Sequence, residues 1–198
     1  PDGVRPVRVI GRQGKAEGNS LEVAIDNLYG GEKYALFEVE LPEGQDGTLL
    51  KAAELEVEYA DAASGATVRK SADFSVSFSG DAGTVEKNRR SDILSQAELA
   101  RNAEIREEAV RLADEGRARE AAQLLDERTK QLQTMAPAAG AAAPKFEQEA
   151  GYFEELAESL NETGVFSSTQ RKSVLNDAYK QKNQQAPVSG DVEGEEEE

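Results

Sequence analysis

The sequence predicts an α+β protein, with a small antiparallel β-sandwich followed by an α-helical hairpin and further C-terminal helices. Over residues 1–90 apolar residues recur at every second position, which is the period of a strand with one wet face. From residue 91 onwards they recur at spacings of three and four, which is the period of an amphipathic helix. Short turns that contain glycine separate the alternating runs, as in a small sandwich.

Five alternating runs predict the strands of the sandwich. They cover residues 7–10, 21–25, 37–41, 54–59 and 74–78. In the fourth run Leu55, Val57 and Tyr59 alternate with glutamates. We therefore expect these three apolar residues to face a core and the glutamates to face water. Pro42 ends the third run, because proline has no N–H to donate to a ladder.

The segments between the strands carry turn signals. Residues 29–32 supply two glycines where the chain must reverse, since glycine adopts positive φ without steric cost. Residues 14–20 predict a polar loop, and residues 84–87 predict either a last short strand or the approach to the helices. Because five or six strands make a thin sandwich, we expect a segment outside this sequence to complete its edge or core.

Residues 91–135 predict a helical hairpin. The apolar face of its first helix stops just before Gly116, and glycine is the residue that most often ends a helix. Small residues, among them Ala109, Ala113 and Ala121, allow the two helices to approach closely. The hairpin shows no second copy at a fixed period, so we expect it to be a single unit rather than a repeat array.

The remainder of the chain divides by composition. Residues 136–144 are alanine-rich and bracketed by prolines, which predicts a linker rather than a helix. Residues 145–184 predict C-terminal helices, one ending near Gly164 and the next capped by a serine at 167–168. Residues 185–198 end in four glutamates and predict a disordered acidic tail.

Composition excludes several classes of function. The chain has no cysteine and no histidine, which excludes thiol nucleophiles, disulfides, zinc sites and histidine-based acid–base catalysis. The formal net charge of −16 argues against binding nucleic acid or an anionic membrane surface. No apolar run approaches the roughly 20 residues that a membrane span needs. The absence of cysteine fits either redox compartment, so the composition leaves the localisation unknown.

Two motifs carry a resemblance to a known group of proteins. The turn Asp-Asn-Leu-Tyr-Gly-Gly-Glu-Lys over residues 26–33 leads into a strand that ends Glu-Leu-Pro at Pro42. A later helix begins with Arg171 and Lys172 and carries Tyr179 further on. This pattern resembles the segment just after the von Willebrand factor A domain in a group of bacterial proteins, and the similarity runs loosely over residues 21–182.

The resemblance implies a non-catalytic scaffold and protein–protein interaction region that supports an adjacent von Willebrand factor A domain. In that group the metal-binding Asp-x-Ser-x-Ser motif belongs to the A domain, and no such motif stands in this sequence. We therefore expect no catalytic residue, no metal ligand and no cofactor here; a divalent metal would belong to the missing A domain. The chain starts at Pro1, which we interpret as a fragment or a processed product, with the bacterial cytoplasm and the cell envelope both open.

The last predicted helix offers the one basic patch on an acidic chain. Its candidate partner-binding residues are Arg171, Lys172, Tyr179, Lys180 and Lys182. They could dock an acidic protein partner, fold back on the terminal glutamates, or form an ordinary solvated helix face. The partners that we expect are proteins, including the chain's own A domain or another fragment of its parent.

Two alternative functions belong to other classes. A calcium- or carbohydrate-binding sandwich module would use Asp61 with Ser64, or Asp81 with nearby carbonyls, although both aspartates equally suit ordinary turns. A hydrolase that uses only carboxylates is less favoured, because the chain has no tryptophan and few aromatic residues to stack on a sugar. Two carboxylates facing each other across a pocket would favour it.

Overall fold

The computed structural model describes residues 3–25 and 33–183. The chain divides into two compact units, Pro1–Ser91 and Asp92–Glu198, which we call the β unit and the helical unit. Small antiparallel sheets form the first and helices form the second, so the predicted α+β class is confirmed. The predicted turn at 29–32 and the predicted acidic tail at 185–198 lie outside the described residues.

Six strands pair into three two-stranded antiparallel sheets in the described part of the β unit. Their bounds are β1 Arg5–Ile10, β2 Lys15–Glu17, β3 Ser20–Glu22, β4 Leu36–Glu40, β5 Leu49–Ala60 and β6 Thr67–Ser77. β1 pairs with β4, β2 with β3 and β5 with β6. A short helix, α1, follows at Ala82–Lys87, where the sequence left a strand open as an alternative.

The predicted polar loop over residues 14–20 is wrong, because β2 and the start of β3 lie within it. Gly18 and Asn19 connect the two strands, and Gly18 has a φ of 57°. A two-residue connection of this kind needs positive φ, which glycine supplies at no steric cost. The turn chemistry therefore makes a small hairpin out of a segment whose side chains are polar.

The helical unit contains four longer helices. Their bounds are α2 Ser91–Asp114, α3 Ala118–Met135, α4 Ala143–Thr163 and α5 Ser168–Lys182. α2 ends in a Schellman motif, in which Gly116 at φ 78° donates to Ala113 and Arg117 donates to Leu112. The tight reversal at Gly116 brings α3 back along α2, as the predicted hairpin requires.

Local signals also set the ends of α4 and α5 where the sequence predicts them. Gly164 ends α4 in the left-handed conformation, with φ 73°. Ser167 caps α5: its hydroxyl accepts from the Gln170 N–H at 3.2 Å, and the Gln170 side chain accepts from the Ser167 N–H at 3.0 Å. This reciprocal capping box satisfies two helix-end donors at once.

The predicted linker at 136–144 is wrong in its local structure. Two 3-10 turns, Ala136–Ala138 and Gly140–Ala142, lead directly into α4. Its prolines stand in the first positions of helical turns, where a missing N–H costs nothing. Ala136 is buried against the helical core, so this segment packs on the helices and does not act as a spacer between them.

One apolar core joins α2, α3, α4 and α5. Its largest fully buried side chains include Phe146, Phe153, Leu125, Leu132 and Leu160. The buried alanines beside them permit the close helix approach that the sequence predicts. No helix among residues 3–25 and 33–183 combines the length and the apolar character that crossing a membrane requires.

We expect the core of the helical unit to be sensitive to lost volume. Leu125→Ala should lower the free energy of unfolding by about 2–5 kcal/mol, because it removes a fully buried side chain and leaves a cavity. The matched variant Leu94→Ala, at a side chain that is 49% exposed, should cost less than about 1 kcal/mol. Urea denaturation followed by far-UV circular dichroism measures both; equal losses would contradict this packing.

Candidate functional site

The β5–β6 hairpin carries apolar side chains on one of its faces. Directly paired residues share a face, and the pairs Leu55 with Ala72, Val57 with Lys70 and Tyr59 with Val68 therefore lie together. We call this surface the hairpin face. Its members are Ala53, Leu55, Val57, Tyr59, Val68, Lys70, Ala72 and Phe74.

The hairpin face is largely open to water. Val57 is 44% exposed, Tyr59 46% and Phe74 55%, while Leu55 is half-buried. The prediction that residues 55, 57 and 59 face a core is therefore wrong for Val57 and Tyr59, and Leu55 is only partly covered. Alternation correctly shows which residues share a face, but in a two-stranded sheet that face is buried only when another layer packs on it.

The opposite face of the hairpin is charged and internally paired. Arg69 donates to Glu58 at 2.6 Å, and the Lys51 ammonium lies 2.9 Å from Asp73 and 3.1 Å from Glu54. These exposed ion pairs add little stability, but they neutralise part of the charge on this face of the hairpin. The hairpin is thus amphipathic, with an ion-paired side and an apolar side.

The loop at residues 61–66 fixes the register of the hairpin. The Asp61 carboxylate accepts hydrogen bonds from the Ser64 N–H at 2.7 Å, the Ser64 hydroxyl at 2.8 Å and the Ala63 N–H at 3.0 Å. Gly65 adopts φ 70° and donates its N–H to the Asp61 carbonyl at 2.8 Å. The hydrogen bonds from Ser64 hold the pKa of Asp61 below its ordinary value.

Asp61 and Asp81, the candidate calcium ligands, both serve local backbone structure. Asp81 caps α1, and its carboxylate accepts from the Thr84 N–H at 2.8 Å and from the Thr84 hydroxyl at 2.6 Å. These hydrogen bonds lower the pKa of Asp81. Within the ranges 3–25 and 33–183, no group of three or more acidic side chains is placed to hold a metal ion.

The basic face of α5 is partly used inside the helical unit. Arg171 makes a bidentate contact with Asp114 of α2, with its Nη2 2.8 Å from Oδ2, which lowers the pKa of Asp114. Lys182 pairs with Glu107, also on α2. Two of the predicted partner-binding residues therefore tie α5 to α2.

The other three predicted residues of α5 face water. Lys172 and Lys180 are exposed, and Tyr179 is 56% exposed. All three lie on the exposed part of one helix. Whether this surface binds an acidic protein stays a prediction.

A buried polar network crosses the helical unit, and no pattern in the sequence predicts it. The Glu149 carboxylate of α4 accepts from Asn102 at 2.8 Å and from Arg106 at 2.7 Å, both on α2. Arg128 of α3 donates to the Asn102 side-chain oxygen at 2.7 Å, and Arg106 also reaches Gln181 of α5 at 2.6 Å. All four helices thus share one chain of hydrogen bonds.

The network is structural in character. Arg106 and Arg128 are almost fully buried, and burial lowers the pKa of Arg128. The Arg106 guanidinium also lies 5.0 Å from the Phe153 ring centre, within cation–π distance.

The two units each contain a shallow surface depression. One, of about 420 Å³, lies between β1 and the β2–β3 hairpin, and the other, of about 340 Å³, lies beside Glu98 and Met135. The first is lined by cations, but Arg8 pairs with Glu38 at 3.0 Å and Lys15 with Glu17 at 2.6 Å. Neither depression brings two carboxylates to face each other.

Comparison with known proteins gives no match to a family model, to a curated protein or to a solved structure. The resemblance to the region after a von Willebrand factor A domain therefore stays a prediction. The fold and the surface define the chain only as an α+β protein with an amphipathic, open β-hairpin.

We expect Asp61 to make the hairpin loop sensitive to acid. Its folded pKa lies below the ordinary 3.8, so its stabilising hydrogen bonds are present above pH 3.8 and are lost as the pH falls through the folded pKa. The amide proton signal of Ser64 should shift as the pH is lowered from neutral to about 2. Asp61→Ala should abolish the shift; an unchanged titration in that variant would contradict the assignment.

We also expect the removal of one partner from the buried network to destabilise the helical unit. Glu149→Leu should cost about 3–5 kcal/mol of unfolding free energy, because Arg106 is left buried without its carboxylate. The double variant Arg106→Met/Glu149→Leu should recover most of this loss, since no buried charge remains. Urea denaturation measures both, and equal losses in the single and double variants would rule out the ion pair as the cause.

Proposed function

We propose that this chain is a non-catalytic scaffold and protein-interaction region that supports an adjacent von Willebrand factor A domain. The observation that carries the proposal is the hairpin face, where Val57, Tyr59 and Phe74 lie exposed on one side of a single hairpin. Apolar patches rimmed by polar residues mark interaction surfaces. Covering this patch would gain about 25 cal/mol for each Å² of apolar surface removed from water.

The residue types present also favour binding over catalysis. The chain has neither histidine nor cysteine, the side chains that most often act as general bases and nucleophiles. Asp61 and Asp81, the acids singled out in the turns, are bound by the N–H groups and hydroxyls of their own loops. An interaction role needs none of this chemistry and uses the exposed apolar side chains directly.

The assignment of an A domain as the supported neighbour rests on the resemblance. The strand that the resemblance requires before Pro42 coincides with β4, at Leu36–Glu40. The helix that it requires after Arg171 coincides with α5. On α5, the exposed Lys172, Tyr179 and Lys180 supply a second contact surface suited to an acidic part of the neighbour.

We expect the isolated chain to bind the A domain of its parent protein through the hairpin face. Val57→Ser should weaken this binding about tenfold or more, because it removes a central apolar contact. Glu56→Ser is the matched control, since this neighbouring side chain lies on the opposite face of the same strand and should leave the affinity unchanged. Isothermal titration calorimetry measures all three chains.

Two results of this titration would refute the proposal. One is the absence of binding between the unaltered chain and the A domain. The other is an equal loss in Val57→Ser and Glu56→Ser, which would show that the face itself does not matter. Circular dichroism of each variant establishes that the hairpin is still folded when its affinity is measured.

A further inference from the structure

Among the described residues, no further strand pairs with either outer edge of the β5–β6 hairpin. Its strands, Leu49–Ala60 and Thr67–Ser77, are 12 and 11 residues long, and within the described residues they pair only with each other. The outward N–H and C=O groups of each strand are therefore open to a further strand. A two-stranded sheet is marginal by itself, and a third strand with an apolar face stabilises it.

The residues of β6 are more exposed than those of β5, which makes the outer edge of β6 the better candidate of the two. Residues 69–75 of β6 are exposed without interruption. β5, by contrast, buries Ala52 and half-buries Leu50, Ala53 and Leu55. β6 also contains neither proline nor glycine, the residues that most often prevent a strand from pairing at its edge.

A single cation indicates the charge of the occupant. Lys70 lies within the hairpin face opposite Val57, and it forms no ion pair within the described part of the chain. On the other face, Arg69 is matched by Glu58. A strand laid beside β6 would place one of its side chains next to Lys70, and a carboxylate there would supply the missing partner.

The same features disfavour a second copy of this chain as the occupant. A symmetric pair would bring two Lys70 ammonium groups into one interface and join two chains of net charge −16.

We propose that the outer edge of β6 receives an extended strand from a protein partner, apolar at alternate positions and with a carboxylate beside Lys70. Backbone hydrogen bonds to β6 provide the affinity, while the apolar residues continue the hairpin face and Lys70 selects the register. The proposal deepens the proposed interaction role, but it does not require that the partner be an A domain.

A designed peptide tests this directly. The probe is the blocked peptide acetyl-Val-Thr-Val-Thr-Glu-Thr-Val-Thr-Val-amide, titrated into the isotope-labelled chain. We expect hydrogen exchange, followed by nuclear magnetic resonance, to slow about tenfold at alternate amides between residues 69 and 75. A peptide methylated at alternate backbone nitrogens should give no protection, because it cannot complete the ladder.

The role of Lys70 has its own matched pair of variants. The unaltered chain should bind the glutamate peptide about threefold more tightly than the same peptide with lysine in that place. Lys70→Gln should abolish this preference, and Arg69→Gln, the same change of charge on the opposite face, should leave it intact. A preference that survives in Lys70→Gln would remove Lys70 from the proposal.

Three results would overturn the proposal of strand addition. They are no protection of β6 by the peptide, equal binding of the methylated peptide, and a dimer in light scattering that Phe74→Ser converts to a monomer, because a second copy would then cover the face. The two proposals fail separately. Peptide binding without A-domain binding refutes only the proposed neighbour, whereas A-domain binding without edge protection refutes only the added strand.

Discussion

The unequal burial of apolar side chains is the constraint on which the rest of the structure depends. Among the described residues, the buried apolar side chains of the β unit are Val4, Val9, Ile10 and Ala52, and the others belong to the helical unit. Helices can bury their apolar stripes on each other, but a two-stranded sheet cannot cover its own face. The helices of the second unit therefore share one apolar core, while the apolar face of the β5–β6 hairpin stays largely exposed.

Within the helical unit, polar side chains add the specificity that alanine-rich faces lack. Small apolar residues let helices approach closely, yet they permit many registers of nearly equal energy. The observed register brings Arg128, Asn102, Glu149 and Arg106 together in one chain of hydrogen bonds. A wrong register would leave buried charges unpaired, which costs far more than the loss of a few apolar contacts.

The sequence predicts those parts of the fold that local chemistry determines. Helix ends are one such part: helices end at Gly116 and Gly164, and Ser167 caps the start of α5, as local propensity predicts. The α+β division is another, and it follows from the change of period near residue 91. The exposure of Val57 was beyond prediction, because alternation identifies a shared face and not what covers it. The pairing of Arg171 with Asp114 was equally hidden, since the partners lie 57 positions apart.

For the choice of a partner by the open hairpin, the position of a charge matters more than the net charge of the chain. An exposed apolar strand edge promotes aggregation, and a strong net charge of one sign opposes it by repelling like copies. A net charge spread over the whole molecule cannot, however, choose among partners. Lys70 is a single cation of opposite sign set within the apolar surface, so it favours an acidic strand and penalises a basic one. The net charge of the whole sequence thus opposes self-association, whereas the proposed choice of partner depends on one side chain.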